Sequence, residues 1–139
     1  MNVSIVIPTY NRKPILEKCL YALENQKLNT NISKYEVVVV DDGSNDQSVE
    51  KIKSLKKDYK NLRLISLQRD KNRELGETRN ISIREAKGEY VLLHIDADDL
   101  WEPYIPSFVY LFHKLEKLIK KDVLLSGNQI NIGKRSFLP

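Results

Sequence analysis

Two short runs constrain this chain more than anything else in it: VSIVI at residues 3–7 and EVVVV at 36–40. Both are rich in β-branched residues and almost unbroken by polar ones. A strand with one wet face alternates apolar and polar residues, so runs like these belong to strands covered on both faces. Pro8 is expected to end the pairing of the first run. Between the two runs the pattern is helical. In NRKPILEKCLYALENQK, Ile15, Cys19, Leu20 and Leu23 recur at helical spacing, and Pro14 sits near the first turn. The alternation then repeats. Val49, Ile52 and Leu55 mark a second helix, which Ser44 or Asp46 can cap. LRLISL at 62–67 reads as a third strand, followed by the charged loop QRDKNREL. GETRNISIREAKG reads as a helix with Ile81, Ile83 and Ala86 apolar and Gly88 at its C-terminal cap. EYVLLHI at 89–95 is a fourth strand. Pro103 and Pro106 lead into a long helix reaching about residue 121, and DVLLSG at 122–127 is a fifth strand.

The implied fold class is α/β, a mostly parallel sheet with helices on both faces. At 139 residues the chain has the size of one domain. Residues 1–127 form the α/β unit and 128–139 a tail with little structural signal. Hydrophobic residues at 41% and charged residues at 30% suit a globular core and a solvated surface. The net charge of +4 fits an anionic ligand or an acidic surface without selecting either. Cys19 is the one cysteine, so no intrachain disulfide can form, and its place in an apolar helical pattern reads as an inert, buried thiol. The start, MNVSIVIPTYNRK, lacks the basic opening and long apolar stretch of a signal peptide. No run approaches the length of a membrane span. The expected location is the cytoplasm, with the inner face of the membrane as an alternative.

In open parallel sheets, ligands bind outside the carboxyl ends of the strands. That rule selects PTYNR after the first strand, DDGS after the second and DADD after the fourth. In DADD, Asp96 and Asp98 occupy alternate positions, so in extended chain both carboxylates point one way. Together with Asp99 they crowd negative charge, which is costly unless a cation shares the site. Hard divalent ions such as Mg²⁺ or Mn²⁺ take one or two carboxylates plus phosphate oxygens, so an Asp-x-Asp shared with a diphosphate is chemically sensible. In DDGS, Gly43 permits a tight turn, and a strand-end carboxylate can accept from a ring N–H of a base. Tyr10 offers a ring for stacking and Thr9 a hydroxyl. Arg79, early in a helix, offers a planar fork for phosphate.

Taken together, VSIVIPTYNR, VVVVDDGSNDQS and LGETRNISIREAKGEYVLLHIDADD resemble the N-terminal part of family 2 glycosyltransferases with the GT-A fold, over roughly residues 2–127. The resemblance implies a Rossmann-like, nucleotide-sugar-binding half. By it, Pro8, Thr9 and Tyr10 match the first nucleotide-contacting loop. Asp42 matches the residue that accepts from the base, usually uracil, and Arg79 a basic residue near the nucleotide or diphosphate. Asp96 and Asp98 match the metal motif, with Asp98 the more direct ligand of Mn²⁺ or Mg²⁺, Asp96 nearer the ribose and Asp99 in support. The expected reaction moves a hexose from a nucleotide-diphosphate sugar, a UDP-sugar by preference, to a glycan or lipid-linked acceptor with inversion, as in polysaccharide biosynthesis. Family members continue into an acceptor-binding part that carries a carboxylate general base. After Asp99 the acids are Glu102, Glu116 and Asp122, none of them a persuasive base. The chain is therefore expected to hold the donor half and to lack the base.

Blander readings stand beside these. Asp41 is expected to serve the turn. For Arg79 the alternative to a ligand contact is a surface ion pair with Glu77 or Glu85. His94 lies within an apolar strand and reads as a core histidine, and Trp101 fits either the sugar pocket or the core. In YIPSFVYLFHKLEKLIKK, Phe108, Leu111, Phe112, Leu115, Leu118 and Ile119 form an apolar face opposite Lys114, Lys117, Lys120 and Lys121. A helix covering the sheet is the favoured reading. Peripheral membrane association, or self-association through an exposed apolar face, is the alternative. No nucleic-acid partner is expected. Two functional rivals remain: a non-catalytic nucleotide-sugar-binding module, and a nucleotidyltransferase, which PTYNRK disfavours because it has no glycine.

Overall fold

The structure is a computed structural model and describes residues 2–28, 34–70, 73–92 and 105–120. Its elements alternate: β1 (Asn2–Thr9), α1 (Lys13–Glu24), β2 (Lys34–Asp41), α2 (Ser48–Leu55), β3 (Leu62–Ser66), α3 (Leu75–Glu85), β4 (Tyr90–Leu92) and α4 (Ile105–Ile119). The strands form one parallel sheet in the order β3-β2-β1-β4. β1 and β2 pair along their whole length, from Asn2↔Lys34 to Thr9↔Asp41. The order reverses at β1, which has β2 on one side and β4 on the other. The carboxyl end of β1 is therefore the switch point at which such sheets leave a crevice.

Both faces of the central strands are buried, as the unbroken runs require. Val3, Ile5, Ile7, Val37 and Val39 join Leu16, Cys19, Leu20 and Leu23 of α1, Ile52 of α2 and Val109 of α4 in one core. Val6, Val38 and Val40 form a smaller core on the other face, against Ile81 and Ala86. Each fully buried Val, Leu or Ile contributes roughly 1.5–3 kcal/mol of transfer free energy. No described helix is long and apolar enough to cross a membrane.

Several local expectations change. Pro8 does not end the pairing: it lies opposite Val40, and the ladder runs on to Thr9. A proline is tolerated where the ladder does not need its N–H. In α1 the inward stripe is Leu16, Cys19, Leu20 and Leu23, and Ile15, one step out of phase, is exposed. In α3 the buried residues are Thr78 and Ser82, while Ile83 faces solvent. Their small size allows a close approach, and the Ser82 hydroxyl is satisfied by donating to the Thr78 carbonyl at 2.9 Å. Gly88 is not a left-handed cap, because α3 ends in extended backbone at Ala86. Instead its N–H donates to Ser4 Oγ at 2.7 Å, and a Cβ there would sit 2.5 Å from the Ser4 nitrogen. In α4, Val109 and Tyr110 pack inward while Leu111, Leu115, Leu118 and Ile119 are exposed. Four residues of the expected apolar face thus lie in solvent, while the helix meets the core through Val109. His113 contacts the Tyr90 hydroxyl. The rest of the fourth strand and the fifth strand at 122–127 lie outside the described residues.

Towards the amino ends of the strands, Glu36 ties the layers together. It accepts from Ser4 Oγ at 2.7 Å, Arg63 Nη1 at 2.8 Å and the Lys87 N–H at 2.7 Å. Burial pushes its carboxyl up, but these three donors outweigh burial and hold it below its ordinary value. A lowered folded-state pKa stabilises the fold above the unfolded value, near 4.5, and that contribution is lost as pH falls through the folded value. Glu36→Gln should therefore melt a few degrees below wild type at neutral pH, as a loss of about 1 kcal/mol gives in a domain of this size. The gap should close as the buffer is taken below the folded value. Melting curves across acid pH check this, and a gap that stays constant would contradict it.

Candidate functional site

β1 and β2 end in register, and the loops that follow are sewn to each other by hydrogen bonds. The Asp42 N–H donates to the Thr9 carbonyl at 2.9 Å. Asp41 is fully buried and turned back on its own loop: it accepts from the Gly43 N–H at 3.1 Å, the Ser44 N–H at 2.9 Å and the Ser44 hydroxyl. This is the Asx-turn chemistry that favours aspartate at a strand end. Ser44 Oγ in turn accepts from the Asn11 N–H at 2.8 Å, and Asn11 Oδ1 accepts from the Asn45 N–H at 2.9 Å. Asn11 adopts φ +51°, a left-handed conformation that asparagine tolerates well.

Asp46 serves both helices that leave this end of the sheet. It accepts from the Lys13 N–H in the first turn of α1 at 3.0 Å, and from the Ser48 N–H at the start of α2 at 3.0 Å, together with the Ser48 hydroxyl. Both amides are helix-start donors that lack an intrahelical partner. Burial works against ionisation, but these bonds prevail and keep the carboxyl below its ordinary value. Of the two capping candidates, Asp46 therefore meets α2, whereas Ser44 closes the Asp41 turn.

A further small set of groups gathers at this end of the sheet. Pro8 is buried. Thr9 is buried as well, and its hydroxyl finds no hydrogen-bond partner among the described residues. The Tyr10 ring is 41% exposed. The Asp42 carboxylate is buried, and Arg69 and Arg73 each donate a guanidinium hydrogen bond to it, one to each oxygen. Arg73 also donates to the Gln68 carbonyl at 3.0 Å. The Arg69 guanidinium lies over the Tyr10 ring, 4.2 Å from its centroid. Buried carboxylates need such partners, because desolvation of an unpaired charge costs several kcal/mol.

Of the residues singled out in the sequence, Pro8, Thr9, Tyr10 and Asp42 come together at the carboxyl ends of β1 and β2. Arg79 sits in α3, half-buried, beside buried Thr78. Asp96, Asp98 and Asp99, with His94 and Trp101, lie outside the described residues. Among the described residues no group of three or more His, Cys, Asp or Glu is placed to hold a metal ion. Arg69 and Arg73 were not legible as site residues. They read as part of a charged loop, and only the sheet order, with β3 beside β2, carries them to Asp42. A separate groove of about 520 Å³, lined by Glu17, Lys18, Tyr21, Ala22 and Tyr59, includes none of these groups.

Comparison with known proteins gives a consistent picture. The family model for glycosyl transferase family 2 matches residues 4–126. The chain is 37% identical over 127 residues to a poly(ribitol-phosphate) beta-glucosyltransferase of Bacillus spizizenii, covering 90% of this chain and 19% of that protein. Its fold is similar to Staphylococcus aureus TarS in complex with UDP-GlcNAc, with a TM-score of 0.71 and 29% identity, over 84% of this chain and 32% of that one. It is also similar to the mannosyltransferase PcManGT of Pyrobaculum calidifontis, solved with GDP-Man and Mn²⁺, with a TM-score of 0.60 and 32% identity, over 71% of this chain and 28% of that one. The chain thus spans about a fifth of the curated relative and about a third of the TarS structure.

Gly43 holds the site's geometry. Its φ is +73°, and a Cβ there would lie 2.5 Å from the Arg69 backbone nitrogen. Gly43→Ala should destabilise the fold by roughly 1–3 kcal/mol, the usual cost of a strained backbone position, before the clash is counted. It should also move Arg69 away from Asp42. Thermal melts, with amide chemical shifts of residues 41–44 and 67–70, check both effects; a variant with wild-type melting and wild-type shifts would refute this account of the turn.

Proposed function

The chain belongs to glycosyl transferase family 2, and from that membership and the strand-end geometry we propose that it binds the nucleotide of a nucleotide-diphosphate sugar, by preference a UDP-sugar. The observation that carries the reading is the grouping of buried Asp42, the exposed Tyr10 ring and the unpartnered Thr9 hydroxyl at the switch point of the sheet. In this reading the base stacks on Tyr10 and donates a ring N–H to Asp42. Pro8 and Thr9 shape the floor, and Arg79 faces the diphosphate side. A neutral hydroxyl with spare hydrogen-bonding capacity suits a sugar or base polar group, because an unmet buried hydroxyl is otherwise costly. The UDP-GlcNAc complex of TarS supports uridine as the base.

Asp98, with Asp96 and Asp99, is the proposed seat of Mn²⁺ or Mg²⁺. The PcManGT complex with Mn²⁺ supports a metal in the family. A divalent ion bound there would offset the charge of the nucleoside diphosphate. Within the whole protein, residues 1–127 are the proposed donor-binding unit, and residues 128–139 lead towards the part that binds a glycan or lipid-linked acceptor. The proposed reaction is hexosyl transfer with inversion in polysaccharide synthesis, in the cytoplasm. The relative that acts as a poly(ribitol-phosphate) glucosyltransferase supports an acceptor of that general kind.

Calorimetric titration with UDP, GDP and dTDP, with and without Mn²⁺, tests the reading. UDP should bind best and more tightly with Mn²⁺. Asp42→Ala should weaken UDP by roughly ten- to a hundredfold, the loss of a charged hydrogen bond. Asp98→Ala should remove the Mn²⁺ dependence. Tighter binding of GDP or dTDP would reassign the base, and no binding of any nucleotide would overturn the proposal.

A further inference from the structure

Asp42 and Tyr10 are not vacant in the free protein. The Arg69 guanidinium lies on the Tyr10 ring and donates to Asp42 Oδ2, so it makes the same two contacts the proposed function assigns to a nucleobase. The parallel is chemical. A guanidinium and a pyrimidine ring are both planar, both stack on an aromatic face, and both offer N–H donors to a carboxylate. The two cannot share one ring face and one carboxylate oxygen. Arg73 is placed differently. It holds the other oxygen, Oδ1, it is anchored to the Gln68 carbonyl, and its side chain is only 14% exposed against 37% for Arg69. The Arg69 backbone lies close against Gly43, and among the described residues its side chain is anchored only by Tyr10 and Asp42.

We propose that Arg69 makes this site select nucleoside diphosphates over neutral nucleosides. This inference rests on the base-binding reading of Asp42 and Tyr10. In the free state Arg69 stands in for the base, and a base that enters displaces it from Tyr10 and Asp42 Oδ2. Arg73 stays and keeps Asp42 in position. A neutral nucleoside strips Arg69 of its anionic partner and supplies no other. A diphosphate brings its own negative charge to the loop and gives the released guanidinium a new counter-ion. Removing Arg69 therefore lifts the penalty on the nucleoside and withdraws a cation from the diphosphate.

NMR-monitored titration of wild type and Arg69→Ala with uridine and with UDP tests this. In wild type UDP should bind and uridine should bind far more weakly. In Arg69→Ala uridine should bind about three- to tenfold more tightly, the span of one exposed cation–π contact and ion pair. UDP should not gain. Should the variant fail to fold, the Nε–H resonance of Arg69 in wild type, displaced on saturation with uridine, reports the same event. Unchanged or weaker uridine binding in a folded variant, or an Arg69 resonance indifferent to uridine, would overturn the selective role while leaving the nucleotide site in place. Failure of wild type to bind UDP at all would overturn the base-binding reading, and this inference with it.

Discussion

The hydrogen bonds that sew the loop after β1 to the loop after β2 are the constraint on which the rest of the site depends. They are local in space but span more than thirty residues of sequence: Asn11 to Ser44 and Asn45, and Lys13 to Asp46. They exist because β1 and β2 end level, at Thr9↔Asp41. A one-residue slip would turn every side chain of one strand to the opposite face. Both strands are buried on both faces, so hydropathy alone resists such a slip weakly. The polar contacts at the strand ends supply the missing specification: Glu36 with Ser4 and Arg63 at one end, Asp46 with Lys13 and Asn11 with Ser44 and Asn45 at the other. Register, helix starts and the loops at the strand ends are thus fixed by the same few polar side chains.

Asp41 and Asp42 are adjacent, buried and divided in role. Asp41 is saturated by its own turn and has no reason to meet a ligand. Asp42 is balanced by two arginines from the loop after β3. The two guanidinium groups hold one oxygen of Asp42 each. The arrangement leaves no buried charge unpaired at Asp42.

Much of this was legible in the residues. The unbroken runs at 3–7 and 36–40 announced buried parallel strands, and the rule of strand carboxyl ends pointed to PTYNR and DDGS before any coordinates. The turn role of Asp41 followed from its place at a strand end, where aspartate commonly caps a turn. Helix faces were less legible where packing is by small residues. Thr78 and Ser82 look polar in sequence yet form the buried side of α3, while Ile83 points to water. Gly88 looked like a helix cap and proved to be a point of contact with Ser4, a long-range relation that no local pattern encodes. Arg69 and Arg73 were hidden for the same reason. Their role depends on β3 lying next to β2, which is a fact of strand order.

The central claim is that a nucleotide sits at the carboxyl ends of β1 and β2, and its most direct test is a map of amide chemical shifts as UDP is added to the isotopically labelled chain. The account predicts that the largest changes fall on Thr9, Tyr10, Asp42, Gly43 and Arg69, with the amino-end network around Ser4 and Glu36 undisturbed. Changes centred instead on Tyr21 and Tyr59 in the groove beside α1, or spread evenly with no focus, would contradict it.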